Sequence, residues 1–144
     1  MTIFVVREML ATDYQAVAEL MPDLGYEATA CQVEERLALL MARPDNGIFV
    51  AELKDRIVGW SHVYGVRLLE SDGYAEIGGL VVASNQQRNG AGTMLIRRSE
   101  LWAASRGYAR VRLRSGVHRE AAHLFYESLG YKKSKASFAF ELDI

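Results

Sequence analysis

A chain of 144 residues, 50% hydrophobic and 24% charged, carries enough apolar surface for one core that needs no disulfide or metal to hold it. Its net charge of −1 gives no basic footprint for nucleic acid or an anionic membrane, and Cys31 as the single cysteine excludes an intrachain disulfide or a cysteine-based zinc site. No charged-then-apolar leader opens the sequence and no apolar run reaches the ~18 residues of a membrane helix, so the expected address is the cytoplasm.

Residues 3–6 are a short β-branched run, predicted as a first strand. Thr12-Asp-Tyr-Gln15 has the form of a capping box, and the helix it starts is expected to end at Met21 because Pro22 cannot continue it. A second box, Thr29-Ala-Cys-Gln32, precedes Val33, Leu37, Leu40 and Met41, an apolar stripe at helical spacing. From Ile48 the period becomes strand-like: residues 48–53, a Lys54-Asp55-Arg56 turn and residues 57–66 read as an antiparallel hairpin. A polar turn over 67–73 leads to a strand at 74–82, a helix at 92–106 closed by Gly107, and a strand at 109–115. A helix over roughly 119–129 stops at Gly130, and a last strand is expected at 137–142. The pattern implies a mixed α/β structure in a single domain, residues 1–144, with strands 74–82 and 109–115 parallel because a helix joins them.

Between residues 76 and 92 a buried strand runs into a Gln87-x-x-Gly90-x-Gly92 turn that opens a helix. Glycines let this backbone take left-handed angles and approach a ligand closely, while the unpaired N–H groups of the first helical turn and the helix dipole favour an anion. No lysine occurs between Lys54 and Lys132, so this is not a P-loop, and the third glycine of a dinucleotide fingerprint is missing. What remains is a cradle for a pyrophosphate carried by another kind of cofactor.

At this loop the chain resembles the GCN5-related N-acetyltransferases, whose acetyl-CoA loop has the form Gln/Arg-x-x-Gly-x-Gly/Ala. The hairpin Phe49 to Trp60 looks like that family's central hairpin. Leu80-Val81-Val82 looks like the strand end along the pantetheine, and Ala121 to Tyr131, with Phe125-Tyr126 and Gly130-Tyr131, looks like its last helix. The resemblance implies an acyl-CoA N-acyltransferase fold, a single-layer mixed and partly splayed sheet of about six to seven strands flanked by about four helices. It implies contacts to acetyl-CoA from Leu80, Val81, Val82, Gln87, Arg88, Asn89, Gly90, Ala91, Gly92 and Thr93, and an acceptor site walled by the first two helices. Arg119 departs from the Asn that many members carry near this position and is the alternative cationic contact for a phosphate.

Tyr126 matches the family's general-acid tyrosine, a phenol suited to protonate a departing thiolate; the plain alternative is packing with Phe125 and Leu129. Glu76, eleven residues before Gln87, matches a general-base glutamate, but one of Arg110, Arg112 and Arg114 on the neighbouring strand is an equally simple ion-pair partner. Gly78-Gly79 either opens the splay for pantetheine or makes room for a bulky neighbour such as Trp60 or Trp102. His62, His118 and His123 show no metal-ligand spacing, so no metal is expected.

The implied activity is transfer of acetyl from acetyl-CoA to a primary amine on a small molecule or peptide, by direct attack in a ternary complex. A cysteine relay is disfavoured because Cys31 lies in a helix on the acceptor side. The competing readings are an acyl-CoA-binding sensor or interaction module that has lost turnover, and a dinucleotide-binding oxidoreductase domain. A homodimer through the alternating apolar edge at 137–142 is the expected assembly, with no nucleic-acid or membrane partner.

Overall fold

Lys54 and Asp55 both take left-handed backbone angles (φ 51° and 64°), the pair that a two-residue hairpin turn with the right strand twist requires. They join β2 (Asn46–Leu53) to β3 (Arg56–Val66). In the computed structural model, which describes residues 3–144, this hairpin is central to a five-stranded sheet in the order β1-β2-β3-β4-β5. β1 (Val5–Glu8) and β4 (Tyr74–Val82) flank it antiparallel. β5 (Val111–Leu113) lies parallel to β4, as the helical connection α3 (Ala91–Ser105) demands.

The chain divides into two compact units, Met1–Leu113 and Arg114–Ile144. The first holds the sheet with α1 (Tyr14–Leu24), α2 (Ala30–Met41) and α3; the second holds α4 (Glu120–Ser128). None of the described helices is long and apolar enough to cross a membrane.

Strand alternation in the first unit fills both faces of the sheet. On one face Val50, Trp60 and Val81 pack against Val17 and Leu20 of α1 and Val33 and Leu37 of α2. On the other, Phe49 lies under the Arg98 guanidinium of α3, and Ser61 and Ser99, both fully buried, satisfy each other at 3.1 Å.

The box at Thr29 forms as expected: Gln32 N–H donates to Thr29 Oγ1 at 3.1 Å and Thr29 N–H to Gln32 Oε1 at 3.0 Å. The first helix differs at both ends. A 3₁₀ turn, Ala11–Asp13, precedes α1, and it is Asp13 rather than Thr12 that binds the orphan amide, accepting Leu10 N–H at 2.7 Å. α1 continues past Met21 to Leu24, because Pro22 stands in the last turn and deletes one amide bond without ending the spiral. Gly25 (φ 94°) then closes it, with Gly25 N–H on Pro22 O and Tyr26 N–H on Met21 O.

The sheet has five strands rather than six or seven. Residues 137–142 are not a strand: Phe138, Phe140 and Leu142 are 90%, 95% and 86% exposed. An alternating apolar pattern becomes a strand only on a partner edge, and the described part of the second unit contains one helix and no strand. The strand expected at 109–115 is likewise reduced to the three residues that β4 pairs.

Arg7 on β1 pairs with Asp13 at 2.8 Å and also with Glu52 of β2, fixing the start of α1 to the sheet. The Arg7 guanidinium, aided by Leu10 N–H and opposed by burial, holds the Asp13 carboxyl below its usual value. A carboxyl depressed in the folded state contributes stability above its unfolded pKa and loses it as pH falls through the folded one. Asp13→Asn is expected to cost about 1 kcal/mol at pH 7, a fall of about 3 °C in melting temperature. In thermal melts run from pH 7 downward, the gap between variant and wild type should close in the acid range.

Candidate active site

β4 is paired unequally on its two sides. β3 accompanies it from Tyr74 to Val82, whereas β5 pairs only Ala75, Glu76 and Ile77. Residues 78–82, including Leu80, Val81 and Val82, therefore turn one edge toward no strand of the sheet. Such an edge receives an extended, amide-bearing ligand as it would another strand. The pairing with β5 stops where a bulge interrupts the β3–β4 register between Ile77 and Gly79.

The open edge leads through a 3₁₀ turn, Ser84–Gln86, into the glycine loop. Arg88 and Gly90 have φ of 68° and 92°, and Gly90 C=O accepts the first bond of α3 from Met94 N–H at 3.0 Å. The amides of Ala91, Gly92 and Thr93 are thus beyond reach of any intrahelical carbonyl and stand at the positive end of the helix dipole. Gln87 and Asn89 brace this loop, Gln87 Nε2 donating to Val82 O at 3.4 Å and Asn89 Nδ2 to Gln86 Oε1 at 3.3 Å. No heavy atom lies within 4 Å of a Cβ built on Gly90, so the glycine is required by its backbone angle rather than by crowding.

On the α1–α2 face, Trp60, His62 and Tyr64 form a row along β3. Cβ atoms added to Gly79 and Gly78 would stand 2.7 Å from Trp60 Cζ3 and 2.7 Å from Tyr64 Cε1. The two glycines let these rings lie on β4. Tyr64 thereby reaches its register partner Glu76, its hydroxyl donating to Glu76 Oε2 at 2.8 Å. Arg112, opposite Glu76 on β5, stacks its guanidinium 4.3 Å from the Tyr74 ring centre. His62 Nε2 bonds Asn46 Oδ1 at 2.8 Å, and burial pushes its pKa below the usual histidine value, so the ring is neutral at pH 7. Neither Tyr64 nor the His62–Asn46 pair stood out in the sequence; the available signal was the period-two aromatic spacing 60, 62, 64 facing two consecutive glycines across a hairpin.

In the second unit, Arg119 is the residue before α4 and Tyr126 lies in its last turns, between Phe125 at 5.5 Å and Tyr131 at 6.4 Å between ring centres. Burial pushes the Tyr126 phenol upward, with Arg119 working against it, so the hydroxyl keeps its proton at neutral pH. His123 Nε2 meets Gly116 O at 2.9 Å. Cys31 is exposed on α2. Among the described residues no three His, Cys, Asp or Glu side chains cluster to hold a metal.

The Acetyltransferase (GNAT) family model matches residues 7–131, a stretch that includes this strand edge and the glycine-rich helix start. The chain belongs to the GNAT acetyltransferase family. It is similar to a putative acetyltransferase from Agrobacterium tumefaciens str. C58, with 26% identity, 96% of this chain and 99% of that one covered, and a TM-score of 0.86. Aminoglycoside 6'-N-acetyltransferase AAC(6')-IG from Acinetobacter haemolyticus shares the fold at 17% identity, with 97% and 99% covered and a TM-score of 0.82. Aminoglycoside N-acetyltransferase AAC(6')-Iy, solved in complex with CoA, shares it at 13% identity, with 100% and 97% covered and a TM-score of 0.88. No curated protein sequence matches the chain.

For this GNAT protein Gly90→Val forces a branched side chain into a left-handed backbone and is expected to lower CoA affinity at least tenfold by calorimetry. Gly107 has a similar φ of 85° but lies at the other end of α3. Gly107→Ala should lower the melting temperature and leave CoA affinity unchanged.

Proposed function

We propose that the chain works as one acetyl-CoA-dependent N-acetyltransferase domain over residues 1–144, moving acetyl to a primary amine by direct attack in a ternary complex. The observation that carries this reading is the open edge of β4 running into the free amides at the start of α3. The names of two structural neighbours, both aminoglycoside N-acetyltransferases, support an amine as acceptor.

Leu80, Val81 and Val82 offer backbone groups to the pantetheine amides, and Ala91, Gly92 and Thr93 amides with the Arg88 guanidinium and Thr93 hydroxyl take the pyrophosphate. Acetyl-CoA, when bound, supplies the activated thioester. Glu76 removes a proton from the acceptor ammonium, directly or through water, and the Tyr64 hydroxyl holds its carboxylate on the acceptor face. Tyr126, kept protonated by burial, donates its proton to the departing thiolate. No step in this sequence calls for a metal ion.

The assembly we propose is a dimer in which residues 137–142 add to a second copy. Phe138, Phe140, Leu142 and Ile144 are all at least 86% exposed. Burying them removes roughly 600–800 Å² per chain, close to the share of one partner in a standard interface. Light scattering should give the mass of two chains, and that of one chain for the Phe138→Asp, Phe140→Asp double variant.

Glu76→Gln keeps the hydrogen bond from Tyr64 and loses the base, so turnover should fall by about 10²-fold at neutral pH and recover as pH rises and the amine deprotonates unaided. Tyr126→Phe should lower turnover with little change in acetyl-CoA affinity. Steady-state rates from pH 6 to 10 decide both; a Glu76→Gln profile of wild-type shape with a lowered melting temperature would make Glu76 a structural ion-pair partner.

A further inference from the structure

An ammonium carries three hydrogens on nitrogen and the product amide carries one, so two protons leave the acceptor for each acetyl group transferred. Glu76 accounts for the first. The second sits on the cationic nitrogen of the tetrahedral adduct, and until it departs that nitrogen can leave again as readily as the sulfur. Its removal commits the adduct to product, so a second proton acceptor beside the amine has work to do.

His62 stands on the same face of the sheet as Glu76. Its ring centre is 5.3 Å from that of Tyr64, the residue whose hydroxyl binds the Glu76 carboxylate. A chain of hydrogen bonds sets the ring. Asn46 Nδ2 donates to Leu40 O near the end of α2 at 3.4 Å, which leaves Asn46 Oδ1 to face His62 Nε2 at 2.8 Å. Nε2 must then carry the ring hydrogen, and Nδ1 carries the lone pair.

The two nitrogens of an imidazole point in nearly opposite directions. With Nε2 held by Asn46 on β2, Nδ1 is directed away from β2, on the side where Gly79 of β4 is the register partner of His62. That lone pair is open. Among the described residues the buried side-chain nitrogens and oxygens that lack a partner are Trp60 Nε1 and Ser115 Oγ, so the unbonded Nδ1 of His62 is not sealed from solvent. Burial holds the ring below the usual histidine pKa, which keeps it neutral at pH 7. A cavity of about 200 Å³, lined by His62 together with hydrocarbon such as Leu37 and Ile48, leaves room beside it for the carbon skeleton of an acceptor.

We propose that His62 Nδ1 is a second catalytic base, which takes the proton of the tetrahedral adduct while Asn46 positions the ring. This rests on the acetyltransferase reading above. The nitrogen lone pair forms the C–N bond, the C–S electron pair leaves on sulfur and receives the Tyr126 proton, and His62 becomes an imidazolium. Of the two protons then held by Glu76 and His62, one restores Tyr126 and one passes to water.

Nitrogen-15 NMR of the full chain, which has three histidines, reads the ring directly. The His62 signals are those that His62→Gln removes. With CoA present, the wild-type protein is expected to show the Nε2–H tautomer of His62 at pH 7, and its Nδ1 signal should shift on adding at least one of phenethylamine, spermidine and kanamycin. His62→Gln keeps a donor for Asn46 but cannot hold a proton, so in steady-state CoA release its kcat should fall at least tenfold, with KM for the amine changed less than threefold. Where the variant also melts at a lower temperature, the wild-type spectrum decides. An Nδ1–H tautomer, an Nδ1 that none of the three amines shifts, or a smaller fall in kcat overturns the inference and leaves the acetyltransferase reading intact. An Nδ1 that an amine shifts, in a protein that releases no CoA from acetyl-CoA with that amine, keeps His62 as an amine contact and sinks the acetyltransferase reading instead.

Discussion

The site depends on unequal pairing along β4. A parallel partner that continued past Ile77 would satisfy the amides and carbonyls of residues 78–82 and leave nothing for a ligand to bind. Because β5 ends at Leu113, five residues of an interior strand keep an open edge, and the chain that follows turns directly into the start of a 15-residue helix. Strand edge and helix dipole are then consecutive along one stretch of backbone. An extended amide-bearing arm with an anionic end matches that order of groups, which is why the geometry favours a CoA thioester over a nucleotide held by side chains.

The bulge at Gly78 serves a second purpose on the same strand. It places two residues without side chains under Trp60 and Tyr64, and neither ring could lie there over a Cβ atom. Tyr64 is thereby close enough to bond Glu76, and Trp60 packs into the core against α1 and α2. The open edge and the row of aromatic side chains are thus both set by the local geometry of β4, on its edge and on its face.

Much of this was legible in the sequence because it is local. The strand over Tyr74–Val82, the cap at Thr29, the hairpin turn at Lys54-Asp55 and the glycine loop each follow from backbone preferences within a few residues. What was not legible depends on partners distant in sequence. The length of β5 is set by where β4 stops pairing, and the alternation at 137–142 specifies a strand only if an edge is offered. The role of Gly78-Gly79 is visible only when Trp60 and Tyr64 are placed across the hairpin. The extension of α1 past Pro22 is a milder case, in which the Gly25 closure outweighs one lost amide bond. Sequence also left Glu76 between base and ion-pair partner; the hydrogen bond from Tyr64 supplies a way to hold its carboxylate in place.

The central claim is that the free edge of β4 and the first amides of α3 together form the CoA site. Amide hydrogen exchange with and without CoA tests it residue by residue. The expected result is protection confined to residues 78–82 and 88–94, while the inner β2–β3 ladder, already hydrogen-bonded, does not change. Exchange at 78–82 and 91–93 that is unaltered at saturating CoA would contradict the account.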